Sequence, residues 1–86
     1  MSNFKASLAA AIDSRNEHNQ ATFFVEGWEF DIEVDNSDNT LSIYDFEGET
    51  LETYDLDDGG YEYALSQADD LWSYWLTYVL DMGLEA

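Results

Sequence analysis

Between Trp28 and Asp35, apolar and acidic residues alternate without interruption. Trp28, Phe30, Ile32 and Val34 take one set of positions, and Glu29, Asp31, Glu33 and Asp35 take the other. A period of two sends successive side chains to opposite faces of a strand, so this segment predicts a strand with one apolar and one acidic face. Thr22 to Val25 predicts a strand before it, joined through a tight hairpin turn at Glu26-Gly27. After it, Asn36-Ser37-Asp38-Asn39 is dense in turn formers. Thr40 to Phe46 predicts a third strand with Leu41 and Ile43 facing the core, and Glu47-Gly48 a second turn. Glu49 to Asp55 predicts a short fourth strand at the sheet edge, where its charges oppose aggregation.

Helical periodicity brackets these strands. Near the start, Phe4, Leu8 and Ile12 recur at every fourth position, predicting a helix capped by Ser2 and running to about Asn16. His18-Asn19-Gln20 reads as a polar connector, and Asp57-Asp58-Gly59-Gly60 as a loop. From Tyr61 to Met82 no Pro or Gly interrupts, and the pattern predicts one helix. Leu65, Ala68, Trp72, Val79 and either Trp75 or Leu76 suit its core stripe. Consecutive strands between helices predict a single α+β domain over residues 1–86: an N-terminal helix, an antiparallel meander of three to four strands, and a C-terminal helix on one sheet face.

Charge changes this picture. The chain has 86 residues and a formal net charge of -18, and its only fixed cations are Lys5 and Arg15. From Asn16 onwards there is neither lysine nor arginine, while nineteen of the twenty Asp and Glu residues lie there. Such acidity is usual in disordered tails, yet this chain is 45% hydrophobic and 16% aromatic, which is enough to build a core. Folding must therefore hold many like charges together at a cost in stability, which points to acidity as a functional property. It also excludes DNA, RNA and anionic lipid as direct partners and implies a basic one.

Other chemistry finds little support. There is no cysteine, hence no disulfide or thiolate metal site, and His18 is the lone imidazole. Asp55, Asp57 and Gly59-Gly60 resemble the start of a calcium loop, but Ser66 stands where the closing glutamate belongs. There is no phosphate-binding glycine loop and no Ser or Thr in a nucleophile context. The expectation is a protein that is not an enzyme and uses no cofactor or metal. Asp13 and Arg15 interrupt the alanine run in the first twenty residues, so no cleavable leader is expected. The apolar run Leu71 to Leu80 is about half of the ~20 residues that span a bilayer, and the expected location is a host cell cytoplasm.

The acidic strand face suggests a specific role. Alternate residues on a strand lie about 6.6–6.8 Å apart. Successive phosphates on one strand of B-DNA are roughly 6–7 Å apart, once helical rotation is added to the ~3.4 Å rise. Glu29, Asp31, Glu33 and Asp35 thus match a phosphate row, and Glu47, Glu49, Glu52, Asp55, Asp57 and Asp58 are candidates to extend it around the sheet edge. Ordinary polarity of an exposed face would mix both signs of charge, and here one is missing.

In size, acidity and aromatic content the whole chain resembles the DNA-mimic inhibitors of phages and mobile elements: antirestriction proteins, anti-CRISPR proteins and inhibitors of uracil-DNA glycosylase. Ile43-Tyr44-Asp45-Phe46-Glu47-Gly48 is similar to an acidic strand–turn segment of mobile-element antirestriction proteins. The resemblance assigns no residue a role. It implies a phage-type, non-enzymatic inhibitor acting by protein–protein interaction on a basic host-defence protein, either a CRISPR effector complex or a restriction enzyme. The alternative is an acidic adaptor or chaperone for a basic protein, without phosphate mimicry. A second surface is expected on the C-terminal helix. Leu71, Tyr74, Trp75, Tyr78 and Met82 form a stripe beside the core stripe. Either the sheet and first helix bury it, or Tyr74, Trp75 and Tyr78 form a homodimer or partner surface.

Overall fold

A computed structural model describes residues 3–85. The elements run α1 (Phe4–Asp13), β1 (Gln20–Val25), β2 (Trp28–Asp35), β3 (Thr40–Tyr44), β4 (Thr50–Asp55), α2 (Gly60–Ser66) and α3 (Ala68–Met82). The strands form one antiparallel sheet in the order β1-β2-β3-β4, the meander expected of consecutive strands. The fold is α+β, as the sequence predicted. Ser2, expected to cap the first helix, lies outside the described residues. Among the described residues no helix is long and apolar enough to cross a membrane.

One sheet face carries the core. Phe23 and Val25 of β1, Trp28, Phe30, Ile32 and Val34 of β2, Leu41 and Ile43 of β3, and Tyr54 of β4 are all buried on it. The helices cover that face with Phe4, Leu8, Ala11 and Ile12 of α1 and with Ala68, Leu71, Trp72, Trp75 and Val79 of α3. Phe30 is the hub. Its ring centroid lies 5.3 Å from Phe4, 5.5 Å from Phe23, 6.1 Å from Trp72 and 4.9 Å from Trp75. Offset and edge-on aromatic pairs at such distances add about 0.5–1.5 kcal/mol each beyond area burial. A dense aromatic core is how so short a chain offsets its charge repulsion.

Strand ends differ from the expected ones where turns take over backbone groups. The first hairpin has Glu26 at φ 51° and Gly27 at φ 86°, the two positive values that a type I′ turn requires. The third strand ends at Tyr44 rather than Phe46 because Asp45 begins the next turn. The Asp45 amide donates to the Glu49 carbonyl (2.9 Å), and its Oδ1 accepts from the amides of Glu47 and Glu49 (2.9 and 3.0 Å). Those bonds explain how Asp45, 3% exposed, is accommodated at the edge of the core.

The C-terminal helical segment is two helices rather than the expected one. The Ser66 hydroxyl donates to the Tyr63 carbonyl (2.6 Å), while the Gln67 amide is shared between the carbonyls of Tyr63 and Ala64 at 3.2 Å each. Such local competition for a helical carbonyl bends or ends a helix. The break lets α3 lie across the sheet while α2 packs beside α1. Arg15 secures that second contact. Its guanidinium sits 5.2 Å from the Tyr61 ring centroid and donates from Nη1 to the Tyr61 hydroxyl at 2.9 Å.

Candidate functional site: an uncovered acidic sheet face

The face of the sheet opposite the helices is mostly polar, with Phe24 exposed on it. In register, Phe24 stands opposite Glu29, Thr22 opposite Asp31 and Gln20 opposite Glu33 on one side of β2. On the other side Tyr44 stands opposite Asp31, Ser42 opposite Glu33 and Thr40 opposite Asp35. The four β2 carboxylates therefore run along the face, flanked by hydroxyls, the Gln20 amide and, beside Glu29, Phe24. Strict alternation with the buried Trp28–Val34 set forces them outward, since a one-residue slip would bury them all.

Neighbours hold part of the row in place. The Thr22 hydroxyl donates to Asp31 Oδ1, and the Gln20 amide donates to Glu33 Oε2 at 2.7 Å. A carboxylate has about four acceptor sites, so each keeps capacity for a partner. Asp35 Oδ1 accepts from the amides of Ser37 and Asp38 (2.8 and 3.2 Å), which fixes the following turn. Asn16, Gln20, Ala21, Thr22, Asp31, Glu33 and Tyr44 surround a shallow depression of about 450 Å³ on this face.

The other candidate carboxylates divide between two places. Asp55 lies across the sheet from Asp35, with Thr40 between them in register, and so belongs to the same face. Its Oδ1 accepts from the Asp57 amide, and Asp57 Oδ1 accepts from the Asn39 side chain at 2.6 Å. The Leu56 amide also reaches the Asn39 carbonyl. Asp57 and Asp58 thus cluster with the Asp35–Asn39 turn and extend the acidic row at that end of the sheet. Glu47, Glu49 and Glu52 do not continue the row. Glu52 pairs with Ile43 on the helix-bearing side and shares a recess with Tyr54, Tyr63 and Asp70. Glu47 and Glu49 line another recess, of about 260 Å³, with Asp45, Tyr74, Trp75 and Tyr78. Glu52 lies two residues from the buried Tyr54 and so shares its face by strand alternation.

The helix stripe divides as well. Tyr74 is 67% exposed and Tyr78 is half-buried, whereas Trp75 is 1% exposed, edge-on to Trp28 at 4.8 Å. Trp75 is therefore a core residue and offers no dimer or partner surface of its own. Tyr78 feels the turn: its partial burial and the carboxylates of Glu47, Asp45 and Glu49 push its hydroxyl pKa up.

Among the described residues no lysine or arginine pairs with a carboxylate. The one contact of this kind there is Glu17 with the His18 imidazole at 3.6 Å, on an exposed loop, and it is ionic only when the imidazole is protonated. Arg15 is committed to Tyr61. Among the described residues no three His, Asp or Glu groups converge as a metal site would require, the Asp55–Gly60 loop included. No protein-family model, curated protein or solved structure matches this chain.

Proposed function

We propose that this protein is a non-enzymatic DNA mimic that occupies the nucleic-acid site of a basic host-defence protein. The supporting observation is the outer sheet face. Glu29, Asp31, Glu33 and Asp35 form a row at strand spacing of about 6.6–6.8 Å, extended at one end by Asp55, Asp57 and Asp58 and paired with no lysine or arginine among the described residues. A rigid sheet holds these charges without ordering cost on binding. The depression beside Asp31 and Glu33 gives the face relief, into which lysine and arginine heads that normally grip phosphates can fit. Inhibition is stoichiometric and salt-dependent, and the targets that fit are a CRISPR effector complex or a restriction enzyme.

The test is a triple substitution, Glu29→Gln, Asp31→Asn and Glu33→Gln. It keeps polarity and leaves the buried face intact, so the fold should persist. Target affinity should fall, and the slope of log affinity against log salt should become shallower by about one for each phosphate-like contact removed. DNA should displace the wild-type protein from its target. A triple variant that binds like wild type, with no competition by DNA, would leave the acidic-adaptor reading in its place.

A further inference from the structure

A groove runs between β4 and α3 on the helix-bearing side of the sheet. It holds two recesses, of about 390 and 260 Å³, and Leu51 and Tyr74 line both. Tyr54, Tyr63 and Leu71 complete the apolar walls of the first, and Trp75 and Tyr78 those of the second. The strip is only partly covered, with Tyr63 47% and Tyr74 67% exposed. We propose that this groove receives a proline-rich segment of another protein in the polyproline II conformation. The inference does not rest on phosphate mimicry.

The Trp75 indole points to the ligand. By area it is a core residue, but it lines the second recess, and its buried Nε1–H has no hydrogen-bond partner among the described residues. A buried donor without an acceptor costs free energy, and an oxygen brought by a ligand removes that cost. The ligand must therefore have a carbonyl to spare. An α-helix uses its carbonyls on its own amides. A strand added to β4 would compete for groups already engaged: the Thr53 amide donates to Glu52 Oε1 at 3.0 Å, and the Asp55 carbonyl accepts from the Asp58 amide at 3.2 Å. A polyproline II helix has no internal hydrogen bonds, so its carbonyls are free, and proline brings no N–H that needs an acceptor in return. Its threefold repeat returns residues to the same side after about 9 Å, so prolines one turn apart can enter the two recesses with Tyr74 between them. Aromatic-lined grooves suit this conformation because the segment is ordered before it binds. These 86 residues contain no proline, so a second copy of them does not supply the segment. Glu47, Glu49, Glu52 and Asp70 also line the groove, which favours a segment with a basic residue beside its prolines.

The probe is N-acetyl-hexaproline-lysine amide. The control replaces the prolines by alternating glycine and alanine, which keeps the charge and removes the fixed conformation. Both are titrated at constant ionic strength into the intact chain while nuclear magnetic resonance follows the Trp75 indole N–H and the Tyr63, Tyr74 and Tyr78 rings. The proline peptide should shift these signals saturably and move the indole proton downfield, as a new hydrogen bond does. The control should bind about tenfold more weakly. Tyr74→Ala alters an exposed side chain and should weaken binding of the proline peptide about fivefold. Trp75→Phe keeps an aromatic ring, removes the donor and should weaken it by a similar factor. Should the core reject that ring, the indole shift and Tyr74→Ala decide the question without it. The Glu29→Gln, Asp31→Asn, Glu33→Gln variant should bind the peptide within about twofold of wild type, so failure of this site and failure of phosphate mimicry read out separately. Equal binding of the two peptides, an unmoved indole proton, a Tyr74→Ala variant that binds like wild type, or loss of binding in the outer-face variant would each overturn the assignment.

Discussion

Phe30 and Phe24 are identical in chemistry and opposite in consequence. Phe30 is fully buried among four aromatic rings, so Phe30→Ala should cost about 3–5 kcal/mol, measured by urea unfolding. Phe24 is 62% exposed on the outer face, and Phe24→Ser should change stability by no more than about 0.5 kcal/mol. Tyr54 gives the molecule an alkaline limit. It is buried in the core, and that burial, followed by Glu52, Tyr63 and Asp70, pushes its hydroxyl pKa up to about 12. Below about pH 10 folded and unfolded chains both keep the proton, so the contribution is fully present. Between about pH 10 and 12 the unfolded chain releases it first, and stability falls as pH rises. Unfolding midpoints across that window should show the fall, and Tyr54→Phe should reduce it. A midpoint independent of pH in the wild type would contradict the buried setting of this hydroxyl.

Among the elements, β2 was fully legible because one pattern satisfied two requirements: alternation set the strand, and the apolar set named the core. Helix boundaries were less legible. The Tyr61–Met82 run contains no helix breaker, and the break at Gln67 arises from a serine hydroxyl competing for a carbonyl, which periodicity does not register. Gly59 is another such position. Its φ is 104°, and a Cβ there would lie 2.7 Å from Tyr63 Cβ, so Gly59→Ala should destabilise by about 1–2 kcal/mol or more from backbone strain alone. The β1–β2 turn offers the converse test. Glu26 occupies a left-handed position that asparagine favours, so Glu26→Asn should raise the melting temperature while also removing a charge. An unchanged or lower value would count against the type I′ assignment.

At the scale of the molecule, repulsion sets the behaviour. The extents are 37 × 23 × 20 Å, and the Debye length is about 30 Å at 0.01 M salt but about 8 Å at 0.15 M. At low salt nearly every carboxylate therefore senses the others; at physiological salt only neighbours do. Adding sodium chloride over this range should stabilise the fold, and each kcal/mol gained should raise the melting temperature by about 4–8 °C in a domain of this size. A melting temperature that is flat or falls with salt would show that the charges do not strain the fold. The same molecular scale separates the candidate carboxylates, which sequence distance could not. Glu47, Glu49 and Glu52 are close in the chain to Asp55, yet alternation along β4 puts Glu52 with Tyr54 on the helix-bearing side, and Glu47 and Glu49 line a recess against α3.

By itself the sequence determined the meander, the acidic and apolar faces of β2, and the sign of the charge. Each follows from local periodicity or from composition, neither of which requires knowledge of what packs on what. Only the tertiary structure decided that Trp75 belongs to the core while Tyr74 does not, and that Asp45 is buried beside Tyr78. It also assigned the chain's only arginine to a tyrosine rather than a carboxylate. Those outcomes depend on where α3 crosses the sheet. The crossing is set by the fit of Phe4, Phe30, Trp72 and Trp75 around one another, a non-local packing solution that no stretch of chain encodes alone.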